Sequence, residues 1–130
     1  MFVKLLFVVL ALSLAMESSG MPGGLMDADM NNADVQKALQ FAVDEYNNVS
    51  NGIWVSKVTR VIRGQNQVVA GIKYIFTVEM ARTSCKKREQ PTEACEVHSD
   101  PNIAQSKVCR LAVWSQSWLN RKELVENTCL

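Results

Sequence analysis

One histidine, His98, serves the whole 130-residue chain, and it stands beside Asp100 and Pro101 in a polar stretch. A lone histidine in such surroundings reads as a solvated loop residue. It offers no imidazole paired to a nucleophile, and zinc asks for four ligands at close spacing. The four cysteines, Cys85, Cys95, Cys109 and Cys129, include no close pair. Charge of one sign is lacking too, with 14 Lys and Arg against 13 Asp and Glu for a formal net charge of +1. No strong field therefore points to nucleic acid or to an anionic membrane as a partner. A glycine-rich phosphate loop, an internal repeat and a low-complexity tract are all missing. Asp44 and Glu45 fall on the solvated face of a helix rather than forming a buried carboxylate pair for acid–base work. These gaps argue against an enzyme and against any cofactor or metal, and toward a binding protein.

Long apolar runs are scarce, and the one that exists is at the start. "MFVKLLFVVLALSLAMESSG" carries one Lys, an apolar run from Leu5 to Ala15, then small residues. The run is short of the roughly 20 apolar residues that span a bilayer. It reads as a secretory signal peptide over residues 1–20, leaving one domain over 21–130. Cleavage after Gly20 fits the small residues Ser18 and Gly20; Ser13 and Ala15 fit a cut five residues earlier. A secreted chain with an even cysteine count reads as a two-disulfide chain. Three pairings exist. Cys85–Cys95 with Cys109–Cys129 gives two small consecutive loops and is preferred; closing a loop of about 15 residues contributes about 3 kcal/mol.

Apolar residues at Val35, Ala38, Leu39, Ala42, Val43 and Tyr46 mark one face of an α-helix. Asn31 or Asn32 can cap its start, and Asn51-Gly52 supplies a stop. Ile53 to Arg63 is rich in Val, Ile, Trp and Thr, with alternation that slips near Lys57 and implies a bulge. From Ile72, Tyr74, Phe76, Val78 and Met80 share one face, and Ile75 breaks the pattern on the other. Residues 83–107 are polar, contain Pro91 and Pro101, and read as a long loop. Strands are expected over Val108–Trp114 and over "KELVENTC", with a turn near Ser117 to Asn120. One helix followed by antiparallel strands is α+β, the helical face lying on the sheet.

The turn that joins the first two strands lacks turn chemistry. "QVVAG", Gln67 to Gly71, puts Val68 and Val69 where Asn, Asp, Pro or Ser is usual. Exposed Val-Val asks for a partner to bury it.

Gln67–Gly71 matches the Gln-x-Val-x-Gly hairpin of the cystatins, and with the glycines Gly23-Gly24 upstream of the helix and four later cysteines it resembles the secreted, two-disulfide type. The cysteines follow the hairpin with nine, thirteen and nineteen intervening residues. The resemblance covers essentially all of Met21 to Leu130. It implies a five-stranded antiparallel β-sheet wrapped around one N-terminal α-helix, with a short strand added before the helix. It also implies pairing of first to second and third to fourth cysteine.

The activity implied is reversible, competitive inhibition of papain-like cysteine proteases, the cathepsin type. A three-part wedge fills the active-site cleft: the N-terminal segment at Gly23, the hairpin Gln67, Val68, Val69, Ala70 and Gly71, and a second loop carrying Pro-Trp. Counted from Cys109, that Trp is Trp118, and Ser117 takes the proline position; Trp114 reads as a core or flanking aromatic. With cleavage after Gly20 only Met21 and Pro22 precede Gly23, so the N-terminal part of the wedge is short. Asn48-Val49-Ser50 is a glycosylation sequon at Asn48. Asn51 stands where some secreted cystatins inhibit legumain, although Gly52 replaces the usual Asp. Lys86-Lys87-Arg88 reads as a solvated loop, with a defence role on microbial surfaces as the second reading. A monomer is expected, and a domain-swapped dimer would form by opening the first hairpin at Val68–Val69.

Overall fold

The computed structural model describes residues 24–88 and 95–130. The segment read as a signal peptide, its expected cleavage sites and Gly23 lie outside the described residues. In chain order come β1 (Met26–Asp27), α1 (Ala33–Val49), β2 (Trp54–Val69), β3 (Gly71–Lys86), the short α2 (Pro101–Ala104), β4 (Lys107–Gln116), a 3₁₀ turn (Ser117–Leu119) and β5 (Arg121–Cys129). The strands form one antiparallel sheet in sequence order, β1-β2-β3-β4-β5. The expected α+β fold, one helix on a five-stranded sheet, is what the chain adopts.

Helix α1 starts where Asn32 caps it: the Asn32 side chain accepts from the backbone N–H of Asp34 and Val35. That satisfies N–H groups the helix itself leaves unpaired. The end differs from expectation. Ser50 is the C-cap in an extended conformation, its N–H donating to Tyr46 O, and Gly52 has no positive φ. The side chain of Asn47, in the last turn, anchors that end. Its amide donates to Ser56 O at 3.0 Å and accepts from Ser56 N at 2.8 Å, mimicking a strand partner and tying the helix end to β2.

The core lies between α1 and the concave face of the sheet. Val35, Ala38, Ala42 and Tyr46 meet Phe76, Val78, Met80, Cys109, Leu111 and Val113. Ala38 and Ala42 are fully buried, and their small side chains let the helix axis approach the strands. Met30 completes one edge against Gly64, where a Cβ would run into the Met30 sulfur. Ile75, the exception to alternation, is buried on the convex face opposite Ala112. It forms a small second layer rather than an exposed apolar residue. Ile72, at the start of the same alternating face, is exposed near the hairpin tip.

β2 contains the expected irregularity near Lys57 and two more, with register shifts at Trp54/Ser56, Val58/Arg60 and Val61/Arg63. Bulges of this kind increase twist and help a long hairpin curl around a helix. The region read as one long loop is more ordered than expected. β3 continues through Cys85 to Lys86, because Trp54 and Ser56 supply partners opposite Lys86 and Arg82. Asp100 caps α2, with Pro101 in its first turn. That Asp-Pro pair is a helix-start signal visible in the sequence. Thr83 bridges to Val97. Cys85–Cys95 ties this segment to β3, and Cys109–Cys129 staples opposite residues of β4 and β5. The pairing is the expected one.

His98 is not the solvated loop residue expected. It is half-buried, packed edge-on to Trp54 with ring centroids 4.9 Å apart, and its Nδ1 accepts from Asp100 N.

Candidate functional site

A turn of one residue makes the first tip. β2 runs to Val69 and β3 resumes at Gly71, so only Ala70 lies between the paired strands. Gly71 has φ +100, a region costly for a residue with a Cβ. A Cβ there would also strike the backbone oxygen of Ser115. Two constraints therefore demand glycine at the same position. Gln67 is half-buried, whereas Val68 is 60% and Val69 41% exposed.

The second tip is the 3₁₀ turn Ser117–Leu119, closed by Asn120 in the left-handed conformation with its N–H donating to Ser117 O. Asparagine tolerates this backbone better than most residues. Ser117 is exposed, Trp118 is 61% exposed, and Leu119 beside it is exposed as well. Leu119 was not singled out by the sequence.

Pairing of β3 with β4 sets Ile72 opposite Ser115, so the two tips stand side by side. Trp114 is the tie between them. Its indole Nε1 donates to Ala70 O at 2.7 Å. Of the two readings of Trp114, core or flanking, it is the flanking one: half-buried outside the core, it lies on the face opposite Val113 and holds the first tip against the second hairpin. Its alternation with Leu111 and Val113 gives the facing; the bond to Ala70 depends on β3–β4 register, which no local pattern reports.

The N-terminal segment reaches the same end. Met26 pairs with Asn66 and Asp27 with Gln65, and Ala28 N donates to Gly64 O. Antiparallel direction then sends Leu25 and Gly24 toward the Val68 tip, and Leu25 and Met26 are both exposed. Below the tips, on the helix side, lies an open hollow of about 500 Å³ walled by Val68, Tyr74, Trp118, Asp34, Lys37 and Arg121. Burial pushes the Tyr74 hydroxyl above its ordinary pKa of 10.0, and the Asp34 carboxylate adds to the shift.

The opposite end has other chemistry. Asn51, Gly52 and Ile53 share a hollow with Lys86, Lys87 and Arg88. Lys87 is not solvated as expected: its Nζ donates to Ser50 O at 2.8 Å and to Ser50 Oγ at 2.7 Å. Lys86 lies over the Trp54 ring, 5.8 Å from its centroid. Two of the three basic side chains are thus engaged within the chain. Asn48, near the end of α1, is exposed and donates to Glu45 Oε1 at 3.3 Å.

Known proteins share this arrangement. The family model described as "Cystatin domain" matches residues 23–118. A "Cystatin" of Oncorhynchus keta is 42% identical over 126 residues, 97% of this chain and 96% of that protein. "Cystatin-C" of Bos taurus is 42% identical over 107 residues, 82% of this chain and 72% of that one. Among solved structures, dimeric human cystatin F superposes with a TM-score of 0.73 at 29% identity, covering 86% of this chain and 90% of that one. Cysteine-protease inhibition rather than catalysis is what this kinship implies. With a matching domain over most of its length and relatives above 40% identity, the chain belongs to the cystatin family.

Proposed function

We propose that the protein is a secreted, reversible, competitive inhibitor of papain-like cysteine proteases of the cathepsin type, acting through its tip end. The observation that carries this is the Trp114–Ala70 hydrogen bond, which makes two apolar tips into one edge. Val68, Val69 and Trp118 then offer exposed apolar area, and the described part of the N-terminal segment, Gly24 to Asp27, runs alongside. A preordered edge loses little conformational entropy on binding. Aromatic and aliphatic anchors that enter a desolvated cleft dominate such interfaces. The edge occupies the cleft without offering a bond in position for cleavage, so the enzyme is blocked rather than fed. Two disulfides and the apolar first segment support export with removal of residues 1–20, and the sequon at Asn48 sits where a glycan would project into solvent.

Titration of papain with purified mature protein tests the reading. Wild type is expected to inhibit at near-stoichiometric ratio. A folded Val68→Asp, Val69→Asp variant is expected not to. A folded monomeric wild type without inhibition would leave the fold without this activity.

A second reading concerns legumain. Asn51 is exposed between Val49, 59% exposed, and Ile53, 62% exposed, on a face the papain-directed edge does not use. That bare asparagine favours capture by an asparagine-specific protease. An unchanged legumain assay with Asn51→Lys would remove it.

A further inference from the structure

We propose that Asn51-Gly52 is a site of spontaneous deamidation, which converts Asn51 to aspartate or isoaspartate in the folded protein. It is the only asparagine in the chain followed by glycine. Without a Cβ, the following residue puts no side chain of its own over the backbone nitrogen that must attack. The nearest group to a Cβ built on Gly52 is Arg82 Nε at 4.0 Å, so the space beside its Cα is open and nothing crowds the turn in which the ring must close. Both residues are exposed and lie between the helix C-cap Ser50 and the start of β2 at Trp54. Among the described residues, no hydrogen bond engages the Asn51 side chain or the Gly52 N–H. Every other asparagine lacks one of these conditions. Asn47 is helical and bound to Ser56 through both side-chain atoms, Asn66 and Asn127 are in strands, and Asn120 precedes Arg121.

The chemistry needs only water and base. The Gly52 nitrogen gives its proton to solvent base and attacks Asn51 Cγ. The new N–Cγ bond closes a five-membered succinimide, and the Cγ–Nδ2 bond breaks with release of ammonia. Water then opens the ring at either carbonyl, giving aspartate or, with the main chain rerouted through Cγ, isoaspartate. No electron is exchanged with a partner. Lys86, Lys87 and Arg88 line the same hollow, and their positive field stabilises both the deprotonated nitrogen and the oxyanion of the tetrahedral intermediate. Lys87 also holds Ser50 O, fixing the backbone on the N-terminal side of Asn51.

The product places one new negative charge among three cations at the end of the molecule far from the tips. Ageing of the protein therefore alters one surface and spares the other. If the legumain reading above holds, on which this clause rests, deamidation also removes the asparagine that such a protease would require.

The test is incubation of the folded full chain in neutral buffer, followed by peptide mapping in heavy-oxygen water and isoaspartyl methyltransferase labelling. The expected result is a one-mass-unit gain confined to the peptide holding Asn51, with isoaspartate in excess. It should be severalfold slower in Lys87→Met and absent in Gly52→Ala, a substitution the open space accepts. Papain inhibition by aged protein should equal that of fresh protein. An Asn51 peptide that stays unmodified in the folded chain while the denatured chain deamidates would overturn the proposal. So would a gain at Asn51 no faster than at Asn120. Fresh protein that fails to inhibit legumain while Asn51 deamidates would refute only the legumain reading.

Discussion

The two ends of this molecule are built from similar parts and present opposite surfaces. At the tip end, Val68, Val69, Trp118 and Leu119 are exposed apolar residues on short turns. At the other end, Val49 and Ile53 are equally exposed but sit beside Lys86, Lys87 and Arg88. What separates them is how each turn is held. The tips are fixed mainly by backbone, the single-residue turn at Ala70 and Ser115 O against Gly71, with one side-chain tie from the Trp114 indole to Ala70 O. The far loop is held by side chains, Asn47 on Ser56 and Lys87 on Ser50, which leaves Asn51 and Gly52 without hydrogen-bond partners among the described residues. A rigid apolar edge is suited to insertion into a cleft. A loop with a free peptide N–H is suited to chemistry on itself.

Substitutions can break this contrast from either side. The largest effect is expected from Val68→Asp with Val69→Asp, because a buried unpaired carboxylate opposes docking at both anchors. Papain inhibition should fall by about three orders of magnitude, taking about 2 kcal/mol per anchor and tenfold per 1.4 kcal/mol. Trp118→Ala comes next. Loss of one aromatic anchor of about 2 kcal/mol predicts inhibition weaker by roughly thirtyfold, read as a faster dissociation rate.

Trp114→Phe keeps an aromatic ring but deletes the N–H along with the pyrrole part of the indole. The lost bond contributes about 1 kcal/mol, so inhibition should weaken by about fivefold while the melting temperature changes by only a few degrees. Equal inhibition by this variant would show that the two tips do not need their tie. Smaller still is the effect of Tyr74→Phe, confined to alkaline pH. The folded pKa is raised, so Tyr74 contributes stability that is fully present below 10.0 and lost as pH rises beyond it, where the unfolded chain ionises first. Denaturant midpoints should match at neutral pH, and only wild type should carry the Tyr74 share of the alkaline loss. Lys87→Met at the far end should leave papain inhibition unchanged.

Much of this was legible locally. The Val35–Tyr46 periodicity gave the helix, Asn32 its cap, and the slip near Lys57 a bulge. Local reading failed where partners are distant in sequence. Residues 83–86 look like loop and are strand, because Trp54 lies across from Lys86 and Ser56 from Arg82 just before them. His98 looks solvated and packs on Trp54, and Lys87 looks free and is bound to Ser50. Trp114 reads as packing filler until register brings Ala70 O within reach of its indole.

The sequence alone determined which residues are chemically distinctive: an apolar hairpin tip, a tryptophan on a loop, four cysteines, one Asn-Gly. Each follows from residue type and short spacing, the range over which rotamers, caps and turns act. Only the tertiary structure decided which of them stand together. The register of β3 on β4, set by side-chain packing of Phe76, Val78, Leu111 and Val113 against α1, aligned the tips, put Ser115 O against Gly71 and left Asn51 at the other end among cations. A shift of one residue would turn each of those side chains to the opposite face, so burying the core and joining the two tips are a single choice.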